Sequence, residues 1–352
     1  MILENTRILE ISPALCDEDI SKLSFAADII RRGGTVCFPT ETVYGLGANA
    51  LDENAVSDIF RAKGRPQDNP LIIHLDSIEK AENYCDAKNN IFLEKISCFF
   101  PGPITAVLNK KSNIPDVVTA KLKSVGVRVP SHPVANKFLE LCAVPVAAPS
   151  ANISGRPSPT CAQHVIADLD GKVDVIISAG CTNVGLESTI VSLVKETPML
   201  LRPGGITYEM LCEKLGKVDV SDAVLSEMKP GDTASAPGMK YKHYAPRAKV
   251  SLICGEESKV ISFFKSKQQE ENCAILAFSE DIPQILSKNV FDIGRSCDAA
   301  SHAQHIFAHL RSTDEIEGLQ NVYVHITGDK SGLNLAVFNR LLKASAYSII
   351  NL

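Results

Sequence analysis

The segment 33–75 constrains the fold most strongly, because it contains two apolar runs that are each attached to a polar loop with glycine. The run Thr35–Phe38 predicts a short buried strand, and the hydroxyl-rich sequence Thr40-Glu41-Thr42 follows it after a proline. Farther on, the loop Arg61–Pro70 places three cations around a glycine and leads into a second apolar run, Leu71–Leu75. Cations on a stiff loop favour an anion as partner, so the segment predicts strands that present polar loops to a ligand.

The rest of the chain alternates strand-like and helix-like patterns, which predicts an α/β fold. In the first part of the chain, apolar spacing predicts helices over residues 17–32, 54–62, 77–86, 92–100 and 132–141, and an alternating pattern predicts a strand over residues 125–130. A length of 352 residues exceeds one typical domain and fits two. We predict a twisted α/β open sheet over residues 13–217, a linker over residues 218–247, and a smaller parallel α/β, Rossmann-like domain over residues 248–352.

Composition and charge argue against several classes of protein. The hydrophobic share of 45% and the charged share of 22% are those of a soluble globular protein. A net charge of -5 argues against a broadly basic surface for nucleic acid. No apolar run reaches the ~20 residues that cross a bilayer, so no membrane role is expected. The 11 cysteines show no CxxC pair and no signal-peptide pattern is visible, which predicts reduced, mostly buried thiols in a cytoplasmic protein.

Two patterns that invite other chemistry are interpreted structurally. Cys37 lies in the central segment without an obvious base nearby, which argues against a nucleophilic cysteine. His302, His305 and His309 have helical spacing, but no carboxylate or cysteine lies at a matching offset, so we interpret them as a packing or solvated stripe rather than a metal site.

Seven motifs, in order, resemble those of the YrdC-like family, the threonylcarbamoyl-AMP synthases. They are Pro39–Leu46, Lys63–His74, Phe100–Thr105, Val127–Pro130, Ala148–Gly155, Ser188–Ile190 and Leu201–Gly204. The linker sequence 236–246 and the domain after it resemble the long, two-domain form of that family. The resemblance therefore covers the whole chain.

The resemblance implies an ATP-dependent nucleotidyltransferase that joins L-threonine, bicarbonate or carbon dioxide, and ATP into threonylcarbamoyl-AMP and releases pyrophosphate. Partner proteins would transfer the threonylcarbamoyl group to adenosine at tRNA position 37. By motif, threonine would contact Thr42, His74, Arg128, Ala148 and Ser188. The nucleotide would contact Arg65, Asn69, Ser150, Ser158, Arg202 and the linker residue Tyr244, and Lys63 would serve the phosphates.

These residue types suit the implied reaction. Attack of N-carboxylated threonine on the α-phosphate adds negative charge to phosphoryl oxygens, so we interpret Lys63 and Arg65 as catalytic cations, assisted by Arg202. Mg²⁺ is expected with ATP, but the sequence does not identify its ligands. Arg128 offers a planar, two-pronged donor to a carboxylate, and Thr42 offers a hydroxyl partner to threonine, as does Ser188.

Alternatives stay open at this stage. The cationic loops would also suit a non-catalytic module for double-stranded RNA or tRNA, and direct contact with tRNA is undecided. A carbamoyl-adenylate enzyme of the hydrogenase-maturation type uses a related domain, but no acylphosphatase or zinc-finger segment is visible. Arg128 would also suit an ordinary ion pair with an acidic neighbour. The linker has an aromatic and basic tip after a Pro- and Gly-rich stretch, so we predict a lid over the nucleotide pocket.

Overall fold

The computed structural model of the chain describes residues 6–227, 243–267, 270 and 272–352. The chain divides into two compact units. The first consists of Met1–Ser154 and Ser158–Lys240, and the second of Gly155–Pro157 and Tyr241–Leu352. Within the described ranges, no helix has the length and apolar character that crossing a membrane requires.

The first unit contains one large sheet with helices against it. Its strands are β1 (Arg7–Glu10), β2 (Val36–Phe38), β3 (Gly45–Asn49), β4 (Ile72–His74), β5 (Ile104–Asn109), β6 (Ser124–Arg128), β7 (Val146–Ala148), β8 (Val175–Ser178), β9 (Thr189–Ser192), β10 (Met199–Arg202) and β11 (Asp219–Val220). Its helices are α1 (Asp17–Arg31), α2 (Glu53–Lys63), α3 (Ile91–Lys95), α4 (Asp116–Thr119), α5 (Pro133–Cys142), α6 (Ala162–Leu169) and α7 (Tyr208–Leu215). The strand order is β1-β8-β2-β3-β7-β4-β6-β5-β9-β10-β11, with parallel and antiparallel pairs mixed.

The second unit contains a smaller, wholly parallel sheet. Its strands are β12 (Lys249–Cys254), β13 (Cys273–Ala277), β14 (Val290–Asp292), β15 (Asn321–His325) and β16 (Ile349–Asn351), and its helices are α8 (Glu257–Lys267), α9 (Ala299–Ser312) and α10 (Gly332–Ala344). The order is β14-β13-β15-β12-β16. The predicted combination of an α/β sheet with a smaller parallel α/β domain is confirmed.

Strand β3 was not predicted, and its glycines explain both the omission and its role. Gly45 and Gly47 are typical of a loop, yet β3 is paired with β2 on one side and with β7 on the other. A side chain on Gly47 would place its Cβ 2.6 Å from Val146 Cγ1 and 3.0 Å from Phe38 Cε1. The absence of side chains at Gly45 and Gly47 therefore leaves room for the Phe38 ring to lie across β3. This tertiary packing outweighs the low intrinsic preference of glycine for strands.

The two units extend differently from the predicted domains. Strand β1 pairs with β8 before residue 13, and β11 pairs with β10 within the predicted linker. Both strands lie at sheet edges and are too short to leave a periodic pattern. Residues 228–242, which include most of the predicted lid, lie outside the described residues.

Two predicted helices of the first unit were wrong in kind or extent. The predicted helix 77–86 is only a 3₁₀ turn, Glu79–Asn83, because the chain then extends to form a bridge between Cys85 and Lys110. The predicted helix 92–100 is divided into α3 and a 3₁₀ turn, Ser97–Phe99. The predicted helices 17–32, 54–62 and 132–141 are confirmed with small shifts as α1, α2 and α5.

The packing of Phe38 across β3 yields a stability prediction. Gly47→Ala should destabilise the first unit by about 1–3 kcal/mol, since the new methyl group overlaps Val146 and Phe38. Gly328→Ala is the control, because a Cβ there meets no heavy atom within 4 Å. Differential scanning calorimetry measures both variants. If Gly47→Ala unfolds at the same temperature as the control, the proposed role of the glycine is wrong.

Candidate active site

The centre of the site is Arg128, which ends β6 and is 4% exposed. Its Nη2 donates to Thr42 Oγ1 at 2.7 Å and to Thr40 Oγ1 at 3.3 Å. The same nitrogen lies 2.9 Å from Glu41 Oε1. The structure thus brings together two residues predicted to contact threonine, Arg128 and Thr42. The alternative interpretation, an ion pair between Arg128 and an acidic residue, is also present, because Glu41 is that acidic residue.

The hydroxyl loop is fixed by its own hydrogen bonds. Thr40 Oγ1 lies 2.8 Å from Thr42 Oγ1 and donates to the carbonyl of Val43 at 2.6 Å. The amides of Thr42 and Val43 both donate back to Thr40 Oγ1 at 3.2 Å. Thr40 therefore holds the turn in which Thr42 faces the guanidinium. The sequence contained this signal in its threonine two positions before Thr42, but no role was assigned to it.

His74 lies next to Arg128 because β4 and β6 are parallel and these two residues are register partners. Side chains of register partners project from the same face of a sheet. His74 is buried, and its ring lies nearly perpendicular to the Phe38 ring, with 5.8 Å between ring centroids. Its Nδ1 lies 3.2 Å from the Ile72 carbonyl. Burial, and secondly the positive charge of Arg128, lower the pKa of His74 to about 3. The imidazole is therefore neutral at physiological pH.

Ser188 and Arg202 form a second buried cluster. Ser188 Oγ lies 2.8 Å from Thr105 Oγ1, and Arg202 donates through Nε to the Ser188 carbonyl at 3.1 Å and through Nη2 to Ser188 Oγ at 3.3 Å. Ser158 donates its hydroxyl to the carboxylate of Glu187, the residue next to Ser188. A residue predicted to contact threonine is thus joined to two predicted to contact the nucleotide.

Lys63 holds the loop that contains Ser150. Helix α2 begins after Asp52, which caps the amides of Asn54 and Ala55, and it ends at Gly64 in a left-handed conformation with φ of 59°. This places Lys63 in the last turn, 2% exposed, with its Nζ donating to the backbone carbonyls of Ser150 and Asn152.

The Ser150 loop is also braced by its own side chains. Ser150 Oγ donates to Asn152 Oδ1 at 2.6 Å, and the Asn152 amide donates to the Ile153 carbonyl at 2.8 Å. The ammonium of Lys63 therefore lies inside the loop and not in solvent. Asn152 is a residue of this network that sequence reasoning did not single out, although it lies within a quoted motif.

The loop after Gly64 contains an unusual buried amide. Arg65 donates through Nη2 to the Pro70 carbonyl at 3.2 Å and lies 3.5 Å from the Asn69 carbonyl. Asn69 is 1% exposed, and neither Oδ1 nor Nδ2 has a hydrogen-bond partner. A buried amide without partners is costly, and a ligand that offers both a donor and an acceptor would remove that cost.

The last two predicted residues are Ala148 and Tyr244. Ala148 is buried in β7, where it pairs with Ile72 of β4. Tyr244 belongs to the second unit, where it is 5% exposed and its ring stacks on Phe307 at 5.2 Å between centroids. Its predicted contact with the nucleotide stays a prediction.

The cysteines differ in part from their predicted state. All eleven are free, but only Cys37, Cys85, Cys142 and Cys273 are buried, so the prediction of mostly buried thiols was wrong. Burial strongly raises the pKa of the Cys37 thiol, which keeps it protonated and unsuited to nucleophilic attack.

The three histidines of α9 make local hydrogen bonds. Nε2 of His302 bonds to the Arg295 carbonyl and Nε2 of His309 to the Asp292 carbonyl, at 2.8 and 2.9 Å. His305 Nδ1 lies 3.1 Å from Ser301 Oγ. In the part of the chain that the structure describes, no three His, Cys, Asp or Glu side chains are grouped so that they could hold a metal ion.

The fold and the site define a YrdC-like α/β domain, with a buried arginine and hydroxyl cluster, followed by a separate parallel α/β domain. A family model described as "Telomere recombination" matches residues 28–204, and one described as "Threonylcarbamoyl-AMP synthase, C-terminal domain" matches residues 206–346. The chain belongs to the threonylcarbamoyl-AMP synthase family.

Two relatives are similar over nearly the whole length of this chain. The threonylcarbamoyl-AMP synthase of Pyrococcus abyssi is 46% identical over 94% of this chain and 95% of its own. That of Bacillus subtilis is 38% identical over 94% of each chain. The crystal structure of P. abyssi Sua5 complexed with L-threonine has a TM-score of 0.90 and 42% identity, over 99% of this chain and 100% of that one.

The environment of His74 yields a pH prediction. Since burial and Arg128 both disfavour the imidazolium, the folded His74 should not titrate between about pH 8 and about pH 5, whereas an ordinary histidine titrates near 6.5. The unfolded chain gains that proton as the pH falls below 6.5, so the first unit should lose stability there. NMR of ¹³C-labelled histidine, assigned with His74→Gln, measures the titration. A midpoint near 6.5 for His74 would contradict this account.

Proposed function

We propose that this chain forms L-threonylcarbamoyl-AMP from L-threonine, bicarbonate or carbon dioxide, and ATP, with release of pyrophosphate. The observation that carries the proposal is the buried contact between Arg128 and Thr42, which joins a carboxylate receptor to a hydroxyl partner at 2.7 Å. The relatives named as synthases support the same activity, and they do not favour the non-catalytic RNA-binding alternative.

Threonine recognition is assigned to the Arg128 cluster. The guanidinium would receive the carboxylate, and Thr42 and Ser188 would bond to the threonine hydroxyl. The neutral His74 beside Arg128 adds a polar wall without a second positive charge. A site that hydrogen-bonds a substrate hydroxyl discriminates strongly against an analogue that lacks it, because its own polar groups are then left unpaired.

Nucleotide recognition is assigned to the residues around the Ser150 loop and Ser188. Arg65 and Arg202 would face the phosphates, with Ser150 and Ser158 as hydroxyl donors and Asn69 as the amide that needs a partner. Lys63 contributes positive charge and also holds the Ser150 loop through two carbonyls. Preorganised cations stabilise the charge that develops at the α-phosphate and on pyrophosphate.

Mg²⁺ is proposed as a companion of ATP and not as an ion held by a cage of side chains. Among the described residues, three buried carboxylates are near the site, and each has a partner. Glu41 is beside Arg128, Glu187 accepts from Ser158, and Asp168 accepts from the Ile153 amide at 3.2 Å. The described donor set therefore fits an ion bound mainly through nucleotide phosphates and water, which is the usual mode for Mg²⁺. When bound, it would neutralise phosphate charge.

The cellular context follows from the product and is part of the proposal. A threonylcarbamoyl adenylate is an activated acyl donor, so proteins that transfer its threonylcarbamoyl group to tRNA would act after this enzyme. We place the reaction in the cytoplasm.

The activity is tested by release of pyrophosphate from ATP that requires both threonine and bicarbonate. Arg128→Lys should lower kcat/KM for threonine by about tenfold to about 100-fold, because a lysine cannot form the planar pair of bonds to a carboxylate. The control is Arg61→Lys, since Arg61 is exposed and pairs with Asp58 in α2. Pyrophosphate release that does not depend on threonine would refute the proposal.

A further inference from the structure

Glu41 and Arg128 form a buried ion pair whose hydrogen bonding is incomplete. Glu41 is 6% and Arg128 is 4% exposed. Glu41 Oε1 lies 2.9 Å from Arg128 Nη2 but accepts no hydrogen bond there, and Arg128 Nε has no hydrogen-bond partner. Such groups are normally paired in folded proteins, because an unmade hydrogen bond to a buried charge is costly.

The carboxylate of Glu41 is anchored on its other side. Glu41 Oε2 accepts from the Ser131 amide at 3.3 Å, and the Glu41 carbonyl accepts from the Val184 amide at 2.8 Å. One oxygen is thus held by the backbone, while Oε1 is the oxygen beside the guanidinium. A positive group placed at Oε1 would complete the bonding of Glu41 without moving its backbone.

The head group of an amino acid carries one negative and one positive charge, which match the two partially bonded groups of this pair. Its carboxylate could take the place of Glu41 beside Arg128, and its ammonium could take the place of Arg128 beside Glu41. Every buried charge would then keep an opposite partner, whereas a ligand with only one charge would leave Glu41 or Arg128 unpaired. Glu187 and Asp168, two further buried carboxylates near the site, are already bonded to Ser158 and to the Ile153 amide.

We propose that Glu41 binds the α-ammonium group of threonine, so that the zwitterion parts the Glu41–Arg128 pair and is held between its two charges. This inference rests on the proposed function and deepens it, because it adds a substrate-binding residue. It makes Glu41 the residue that restricts the site to ligands with a free amino group.

Isothermal titration calorimetry with two ligands tests the inference without relying on turnover. One ligand is L-threonine, and the other is its 2-hydroxy analogue, in which a hydroxyl replaces the ammonium. The wild-type chain should bind threonine about tenfold to about 100-fold more tightly than the analogue, as expected for a charge-assisted bond in a buried site. Glu41→Gln should lose most of this preference.

A matched control separates this effect from a general loss of structure. Glu140→Gln removes an exposed carboxylate that pairs with Lys137 on α5, and it should keep the wild-type preference. Glu41→Asp retains the negative charge on a side chain that is one methylene shorter, so the carboxylate lies farther from the ligand. This variant should bind threonine more weakly and the analogue with nearly unchanged affinity. If Glu41→Gln does not fold, the affinities of Glu41→Asp for the two ligands test the inference alone.

The outcomes distinguish this inference from the function on which it rests. If the wild-type chain binds threonine but Glu41→Gln keeps the same preference, the inference is overturned and the proposed function stands. Equal weakening of both ligands in Glu41→Asp would overturn it as well, since that result indicates a merely structural role. If the wild-type chain does not bind threonine, both fail.

Discussion

Permanent positive charge buried in the first unit is the constraint on which the site depends. Arg128, Lys63 and Arg202 are each 5% exposed or less, and each is surrounded by oxygens of the protein. Arg128 faces Glu41 and the hydroxyls of protein residues Thr40 and Thr42. Lys63 faces backbone carbonyls, and Arg202 faces Ser188. A buried charge is tolerable only with such partners, so the loops that provide the oxygens are fixed in place before a substrate arrives.

The large sheet supplies the geometry for these charges. Parallel pairing of β4 with β6 sets His74 beside Arg128, and the glycines of β3 let Phe38 lie across the sheet against His74. That burial keeps His74 neutral, so the wall carries one positive charge and not two. Packing of apolar side chains thereby determines the charge that a ligand meets.

Much of this could be predicted from sequence, and the failures have physical causes. Motifs identified the family, and the apolar run 71–75 and the alternating pattern 125–130 located β4 and β6, because their signals are local. Strand β3 was missed because its glycines are explained only by the Phe38 ring packed on them. The partnership of Glu41 with Arg128 was missed because the two residues are distant in sequence and meet only through the fold. The unpaired amide of Asn69 is likewise visible only in three dimensions.

A crystal structure of this chain with L-threonine and a non-hydrolysable ATP analogue tests the central claim most directly. We predict threonine beside Thr42, His74 and Arg128, with the triphosphate toward Lys63, Arg65 and Arg202. Threonine bound away from Arg128, with the buried cations still facing only protein oxygens, would contradict it.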